Sequence, residues 1–379
     1  MNRRFIFGFI NGLLLWTSLL MVQAQVVPPT LEDFWEGRAE WVLDQFDVGL
    51  PMGESDTVLI NESEYRAYLH ASSQSAGVID QCGDPVQFPG CTTLWQSEDG
   101  GDHFSLEVPV CLLPCGTCPC DDQRDHITAQ QYPRVAVADD GMWYMVYEWH
   151  AQTILRRSED GLYWPDEWDY LTFPSGVWPR DFHPCEPIED IGDHPNIRGE
   201  GDVCLVGAPP GIYIEGDTLY VFVTAGSAPA HLRCYKGNRH GDLGELEICD
   251  TDPLFTGAQT YGDPAAAGLA AAPYFDFRYI SSADVLKVGD YYYMAYEGIR
   301  GPSVLEYGRD NQFGLGFARA TAIDSQWERY EGNPVLVGLV DNWGIGHADL
   351  LIVDGETVML TATSRSTRGR YVLRWIDAP

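Results

Sequence analysis

Lysine is almost missing from this chain. The 379 residues carry 23 Lys and Arg against 56 Asp and Glu, a formal net charge of −33, and Lys236 and Lys287 are the only lysines. So few cations exclude nucleic acid as a partner, because binding there neutralises phosphates with clustered Lys and Arg. They equally exclude docking on anionic lipid. Long apolar runs are lacking beyond residue 24, so no membrane insertion is expected. Sustained helical periodicity is also scarce. What is abundant is apolar material, at 45% with 12% aromatic, which excludes a disordered chain. With 39 Gly and 24 Pro, turn chemistry is frequent enough to suit many short strands.

Residues 1–24 read as a secretory signal peptide, leaving 25–379 as a single domain. Arg3 and Arg4 open it, Phe5 to Val22 is mostly apolar, and Val22-Gln23-Ala24 is a small-x-small cleavage site. The expected location is secreted, extracellular or periplasmic. All ten cysteines follow this segment, and an oxidising compartment would pair them. Proximity predicts Cys82–Cys91, Cys185–Cys204 and Cys234–Cys249, with two more bridges from Cys111, Cys115, Cys118 and Cys120. The spacing of that last cluster fits no zinc pattern well, and no metal site is assigned.

One helix is predicted, from Leu31 to about Phe46, capped by Thr30 with Asp33 at N3, on the apolar stripe Leu31, Phe34, Trp35, Val42 and Phe46. After it the period changes to two. An apolar strand, a tight acidic-Gly turn and an aromatic strand recur as Pro133–Glu148, Gly211–Gly226, Ala283–Gly298 and Ala348–Thr363, with a weaker copy at Asp56–Ala71. The turn glycines Gly141, Gly216, Gly289 and Gly355 stand 75, 73 and 66 residues apart. Asp-Gly turns between apolar strands signal hairpins, and repetition signals a repeat fold. Each interval leaves room for two more strands. The pattern therefore predicts an all-β, five-bladed β-propeller with a short N-terminal helix, over a β-sandwich or two domains. The last unit is one strand short, and Phe46–Leu50 is expected to supply it. Ser97-Glu98-Asp99-Gly100 and Ser158-Glu159-Asp160-Gly161, each followed by an aromatic, look like the Asp-box turns of propellers, whose role is structural.

The stretch Tyr291–Leu336, with "YYYMAYEG", "FGLGFARA", Trp327 and Asn333-Pro334-Val335, resembles the five-bladed glycoside hydrolases of the arabinanase, β-xylosidase and invertase superfamily, of glycoside hydrolase family 43 or 32 type. The resemblance implies a carbohydrate substrate and three axial carboxylates: an Asp base or nucleophile, a Glu acid, and an Asp that tunes the acid. It needs no cofactor, although a structural or axial cation is compatible with it. Asp56, Arg134, Pro209, Asp284 and Asp349 fall at or near inner-strand starts. Asp284 and Asp349, both in an "AD(V/L)L" frame, are the candidate axial pair. An Asp inside an apolar strand needs a partner or a purpose, because a buried charge is costly, and crowded carboxylates raise one another's pKa. Glu297, equivalent to Glu148, is the candidate acid. Arg134, Glu148, Trp149, Arg300 and His347 are candidates for substrate binding, with Trp178 as a further stacking platform. The chain departs from the superfamily in lacking its Trp-Ala-Pro-Asp strand, Pro210 standing where that Asp is expected, and in lacking a clear acid motif. Two other readings follow: a non-catalytic carbohydrate- or protein-binding propeller, and a sialidase-like enzyme using Arg134, Arg300 and Arg365.

Overall fold

The computed structural model describes residues 27–51, 53–71, 77–80, 83–86, 90–113, 130–149, 152–165, 169–170, 209–225, 231–241, 243, 246–256, 276, 279–299, 313–337, 345–353, 357–364 and 367–376. The proposed signal peptide, Cys82, the Cys185–Cys204 pair, Cys115, Cys118 and Cys120 lie outside them, as do Trp178, Arg300, Arg365 and Gly355.

Five antiparallel sheets alternate along the chain. The first blade is β2 (Ser55–Leu59), β3 (Tyr65–Ala71), β4 (Cys91–Ser97) and β5 (Ser105–Leu106). The second is β6 (Gln130–Val137), β7 (Trp143–Trp149), β8 (Gln152–Ser158) and β9 (Asp169–Tyr170). The third is β10 (Pro210–Glu215), β11 (Thr218–Ala225) and β12 (His231–Asn238), with β13 (Glu247–Ile248) and β14 (Phe255–Thr256) both paired to β12. The fourth is β15 (Tyr279–Val288), β16 (Tyr291–Ile299) and β17 (Phe313–Ala320), with β18 (Glu328–Arg329) and β19 (Leu336–Val337) both paired to β17. The fifth is β20 (Ile345–Val353), β21 (Thr357–Ser364) and β22 (Thr367–Trp375), completed by β1 (Ala39–Gln45) from the N-terminal side. Each first strand touches the first strands of the blades beside it, β2 to β6, β6 to β10, β10 to β15, β15 to β20, and β20 back to β2. The sheets thus form a closed five-bladed β-propeller, with core clusters between successive blades. Among the described residues no helix is long and apolar enough to cross a membrane.

Ring closure differs from the expectation. The helix α1 covers only Leu31–Trp35, held by the anticipated Thr30–Asp33 capping box. Gly37, at φ +73°, then takes the left-handed turn that non-glycine residues disfavour. From Ala39 the burial alternates, with Ala39 and Trp41 inside and Glu40 and Val42 outside, and this stretch pairs with β22 over Ala39↔Trp375 to Gln45↔Arg370. The closing strand is therefore Ala39–Gln45, not Phe46–Leu50. Trp41 stacks on Phe317 of the fourth blade at 5.6 Å, and Phe34 meets the same ring edge-on at 5.2 Å.

The cysteine pairing differs too. Cys91 bonds to Cys111, not Cys82, joining β4 to the segment after β5. Cys111 is thereby removed from the predicted four-cysteine cluster. Cys234–Cys249 is present as expected. In the two Ser-x-Asp-Gly turns, each serine hydroxyl reaches the Asp two residues on, and the following aromatics Phe104 and Trp164 are buried.

Candidate active site at the propeller axis

A repeated backbone device aims side chains at the axis. In β6, β15 and β20 the ladder with the second strand slips by a bulge, between Gln131 and Arg134, Ser281 and Asp284, and Gly346 and Asp349. At each bulge one non-glycine residue takes positive φ: Tyr132 at 53°, Ser282 at 52° and His347 at 55°. Such conformations cost free energy and concentrate where a side chain must be re-aimed. Arg134, Asp284 and Asp349 follow the bulges at equivalent positions. The counterpart in the third blade, four residues before the last pair of its hairpin, is Gly211 rather than Pro210. A Cβ on Gly211 would stand 2.3 Å from the Ala283 carbonyl oxygen, so close contact between the inner strands excludes a side chain there.

Asp284 and Asp349 do converge, and a third residue joins them. Asp56, Asp284 and Asp349 each present a carboxylate oxygen, all within 4.8 Å of one another. Each also ties its blade to the next. Val135 N–H donates to Asp56 Oδ2. Leu350 N–H donates to Asp284 Oδ2 at 2.5 Å. The Thr57 hydroxyl donates to Asp349 Oδ2 at 2.5 Å. Three such oxygens cannot all be ionised cheaply. Burial, then the charges of Asp284 and Asp349, push the Asp56 carboxyl well above its ordinary value. Burial raises Asp284 to about 6 as well, with the Arg134 guanidinium 3.8 Å away opposing the rise. The three oxygens could equally ligate a hard cation.

Around this triad lies a shell of buried charge. Arg134, 1% exposed, donates to Glu54 Oε1 at 2.5 Å. Burial would raise Glu54, but Arg134 and His347 outweigh it and hold its pKa at about 2. The neighbouring carboxylates, led by Glu54, likewise overcome the burial of Arg134 and raise its pKa. Arg368, fully buried, donates to the Thr361 hydroxyl and to the carbonyls of Gly53 and His347, and lies 3.9 Å from Asp349 Oδ2. Burial still lowers its pKa to about 10.

The remaining candidates differ in where they lie. Glu297 stands beside the axis, not in the triad: Ser281 and Ser282 hydroxyls donate to its Oε1 and His347 N–H to its Oε2. His347 faces Glu54 at 3.4 Å and Glu297 at 3.7 Å, and those two carboxylates raise its pKa against the effect of burial. Glu148 is wholly buried in the second blade, opposite Gln131 and Thr153. Arg134 is bound to Glu54 inside the protein. Trp149 ends β7, and its side chain lies outside the described residues. Glu54, Asp56 and Arg368 stand at the site without being among its candidates, Asp56 having been placed only as an inner-strand start. The signal for Asp56 is positional, since it begins the weakest of the five repeats.

The five-bladed architecture is shared with solved glycoside hydrolases. The chain is similar to a thermostable family-43 glycoside hydrolase at 17% identity, over 87% of this chain and 91% of that one, with a TM-score of 0.54. It is similar to the GH43 protein BlXynB of Bacillus licheniformis at 12% identity and TM-score 0.53, over 89% of this chain and about half, 55%, of that one. The catalytic domain of a Coprinopsis cinerea GH62 α-L-arabinofuranosidase matches at 12% identity and TM-score 0.52, over 89% and 98%. These likenesses establish the fold. No family model matches the sequence, and no curated protein matches it.

Proposed function

We propose that the protein is an exported glycoside hydrolase whose reacting carboxylates are Asp56 and Asp284, with Asp349 behind them. The observation that carries this reading is the convergence of three Asp oxygens within 4.8 Å on the axis. Glycosidic cleavage needs one carboxylic acid that is still protonated and one carboxylate. Asp56, pushed well up, holds the proton and delivers it to the leaving oxygen. Asp284, at about 6, is ionised at neutral pH and faces the developing oxocarbenium ion. Its side chain is 12% exposed, against 0% for Asp349, so of the two Asp284 is the one open to solvent. Asp349 keeps the Asp56 proton in place through its charge. Glu297 and Glu54 act as positioning residues through Ser281, Ser282 and His347. The fold relatives include GH43 and GH62 enzymes, which supports a carbohydrate substrate. The disulfides Cys91–Cys111 and Cys234–Cys249 and the apolar N-terminal segment support export.

One observation favours a second reading, a non-catalytic carbohydrate-binding propeller. Every triad carboxylate is already engaged by the neighbouring blade. A screen on nitrophenyl arabinosides, xylosides, fructosides and sialosides decides between them. Turnover that falls at least a hundredfold in both Asp284→Asn and Asp56→Asn supports hydrolysis. Turnover that both variants leave intact removes this site assignment, and no turnover of any glycoside favours the binder.

A further inference from the structure

A cavity of about 510 Å³ opens at the end of the blades away from the axial carboxylates, between the second and third sheets. Its walls come from hairpin turns and strand ends: Asp140 and Met142 between β6 and β7, Ser158, Glu159, Asp160 and Tyr163 at the end of β8 and just after it, and Arg239 and His240 after β12. None of the axial residues lines it. Its size is ordinary for a small-ligand site, which runs to roughly 300–1,000 Å³.

Its walls are fixed before any ligand arrives. Asp160 Oδ1 accepts from the N–H groups of Leu162 and Tyr163 at 2.8 and 2.9 Å, and the Ser158 hydroxyl donates to the Tyr163 carbonyl at 2.6 Å. That turn holds the Tyr163 side chain at the rim, with the residue 66% exposed. Across the cavity Arg239 is clamped by the Gly216 carbonyl and by Asp140 at 2.8 Å. A large aromatic presented to water by a rigid turn, beside a preformed cavity, has the form of a stacking platform.

The polar groups select the ligand's class. Arg239 and Asp140 neutralise each other. The rim also carries Arg157, Glu159, Asp160 and His240, the last beside Asp217 Oδ1 at 3.2 Å, so donors and acceptors of mixed sign stand around the opening. Such a rim has no strong preference for an anion or a cation, and it suits a neutral ligand whose groups both donate and accept. Sugar hydroxyls do both, and a sugar ring offers an apolar face to Tyr163.

We propose that this cavity is a second carbohydrate-binding site that takes a neutral oligosaccharide segment remote from the axial channel. One ring lies on Tyr163, and its hydroxyls bond to Arg157, Glu159 and His240. The inference rests on the carbohydrate reading above and deepens it: the substrate is a polymer, held at two places on one molecule.

The test uses the full chain carrying Asp284→Asn, so that polymer is not consumed, in affinity electrophoresis through gels containing soluble arabinoxylan or linear arabinan. One of these polymers should retard the protein. Adding Tyr163→Ala should weaken that retardation about tenfold, a loss of the size an aromatic platform contributes, and Arg157→Ala should weaken it as well. Leu162→Ala, on the same turn but outside the cavity, should leave it unchanged, and thermal unfolding should show all variants folded. Retardation that neither Tyr163→Ala nor Arg157→Ala reduces overturns the proposal, as does an unretarded parent. The axial reading is judged separately, by nitrophenyl glycoside turnover in the unsubstituted chain and in Asp284→Asn. Polymer binding without turnover would sink hydrolysis and leave this site standing.

Discussion

Asp284 carries opposing demands within one side chain. Its Oδ2 caps the Leu350 N–H of the next blade, yet burial and Asp349 lift its pKa to about 6. In the unfolded chain it would titrate near 3.9. Between those values the folded state binds more protons than the unfolded one, so stability falls as pH rises through that window. Asp284→Asn abolishes this loss. Thermal melts should show the variant more stable than the parent by about 1–3 kcal/mol above pH 6, with the gain vanishing below pH 4. An equal gain at both pH values would show that the triad is not electrostatically crowded. Activity should run the other way: kcat/KM in the parent should rise through about pH 6 as Asp284 ionises, then fall as Asp56 loses its proton. The close approach of the three oxygens also bears on stereochemistry. A reach of 4.8 Å leaves little room for a water between the reacting groups, and is nearer the ~5–5.5 Å of retaining than the ~6.5–9.5 Å of inverting enzymes. Proton NMR of the first-formed anomer should therefore show retention.

At the scale of elements, the inner strands do two jobs at once: they pack against each other and they carry charge. Arg134 in β6 is the clearest case, since its guanidinium and the Glu54 carboxylate are both buried. Arg134→Met keeps the volume but takes from Glu54 the nearer of its two positive partners, at a cost of about 3–5 kcal/mol. Chemical denaturation should show that loss, with Glu54→Gln in the same chain recovering part of it. No recovery would mean that Arg134 acts by packing alone. In β10 the constraint is steric: Gly211→Ala should cost about 1–3 kcal/mol, read from the same curves, because its Cβ meets the Ala283 carbonyl. Much of this was legible in the sequence. Hairpins announce themselves through local turn chemistry, so four inner strands and the equivalence of Asp284 with Asp349 could be read directly. The bulges could not, because the usual sign of positive φ, a glycine, is absent at Tyr132, Ser282 and His347. Without the bulges, Gly211 could not be placed as the third blade's counterpart of Asp284. Nor could the capture of Glu297 by Ser281 and Ser282 be seen, since it depends on side chains that the bulge turns toward it. Cys91–Cys111 escaped notice because a nearer cysteine, Cys82, stood in the sequence.

At the scale of the whole molecule, the circle is closed by one strand from the far end of the chain. β1 covers the outer edge of β22, and the helix before it seats Leu31 and Phe34 in the cluster shared by the fourth and fifth blades. Gln45 adds a bond to the Asp102 carbonyl of the first blade, and Arg370 bridges Asp44 and Asp102. Closing the ring this way joins sequence ends, so it stabilises the fold without any covalent link. A chain lacking residues 1–46 would leave β22 as an open edge, able to pair with another copy. It should form concentration-dependent aggregates by light scattering, and its calorimetric transition should move down and broaden. A synthetic peptide of residues 27–46 added in trans should restore the edge and narrow the transition, because strand addition supplies the missing main-chain hydrogen bonds. If the shortened chain instead melts at the parent's temperature, and remains monomeric at every concentration, the fifth blade is held by its own three strands and the N-terminal segment contributes nothing to closure.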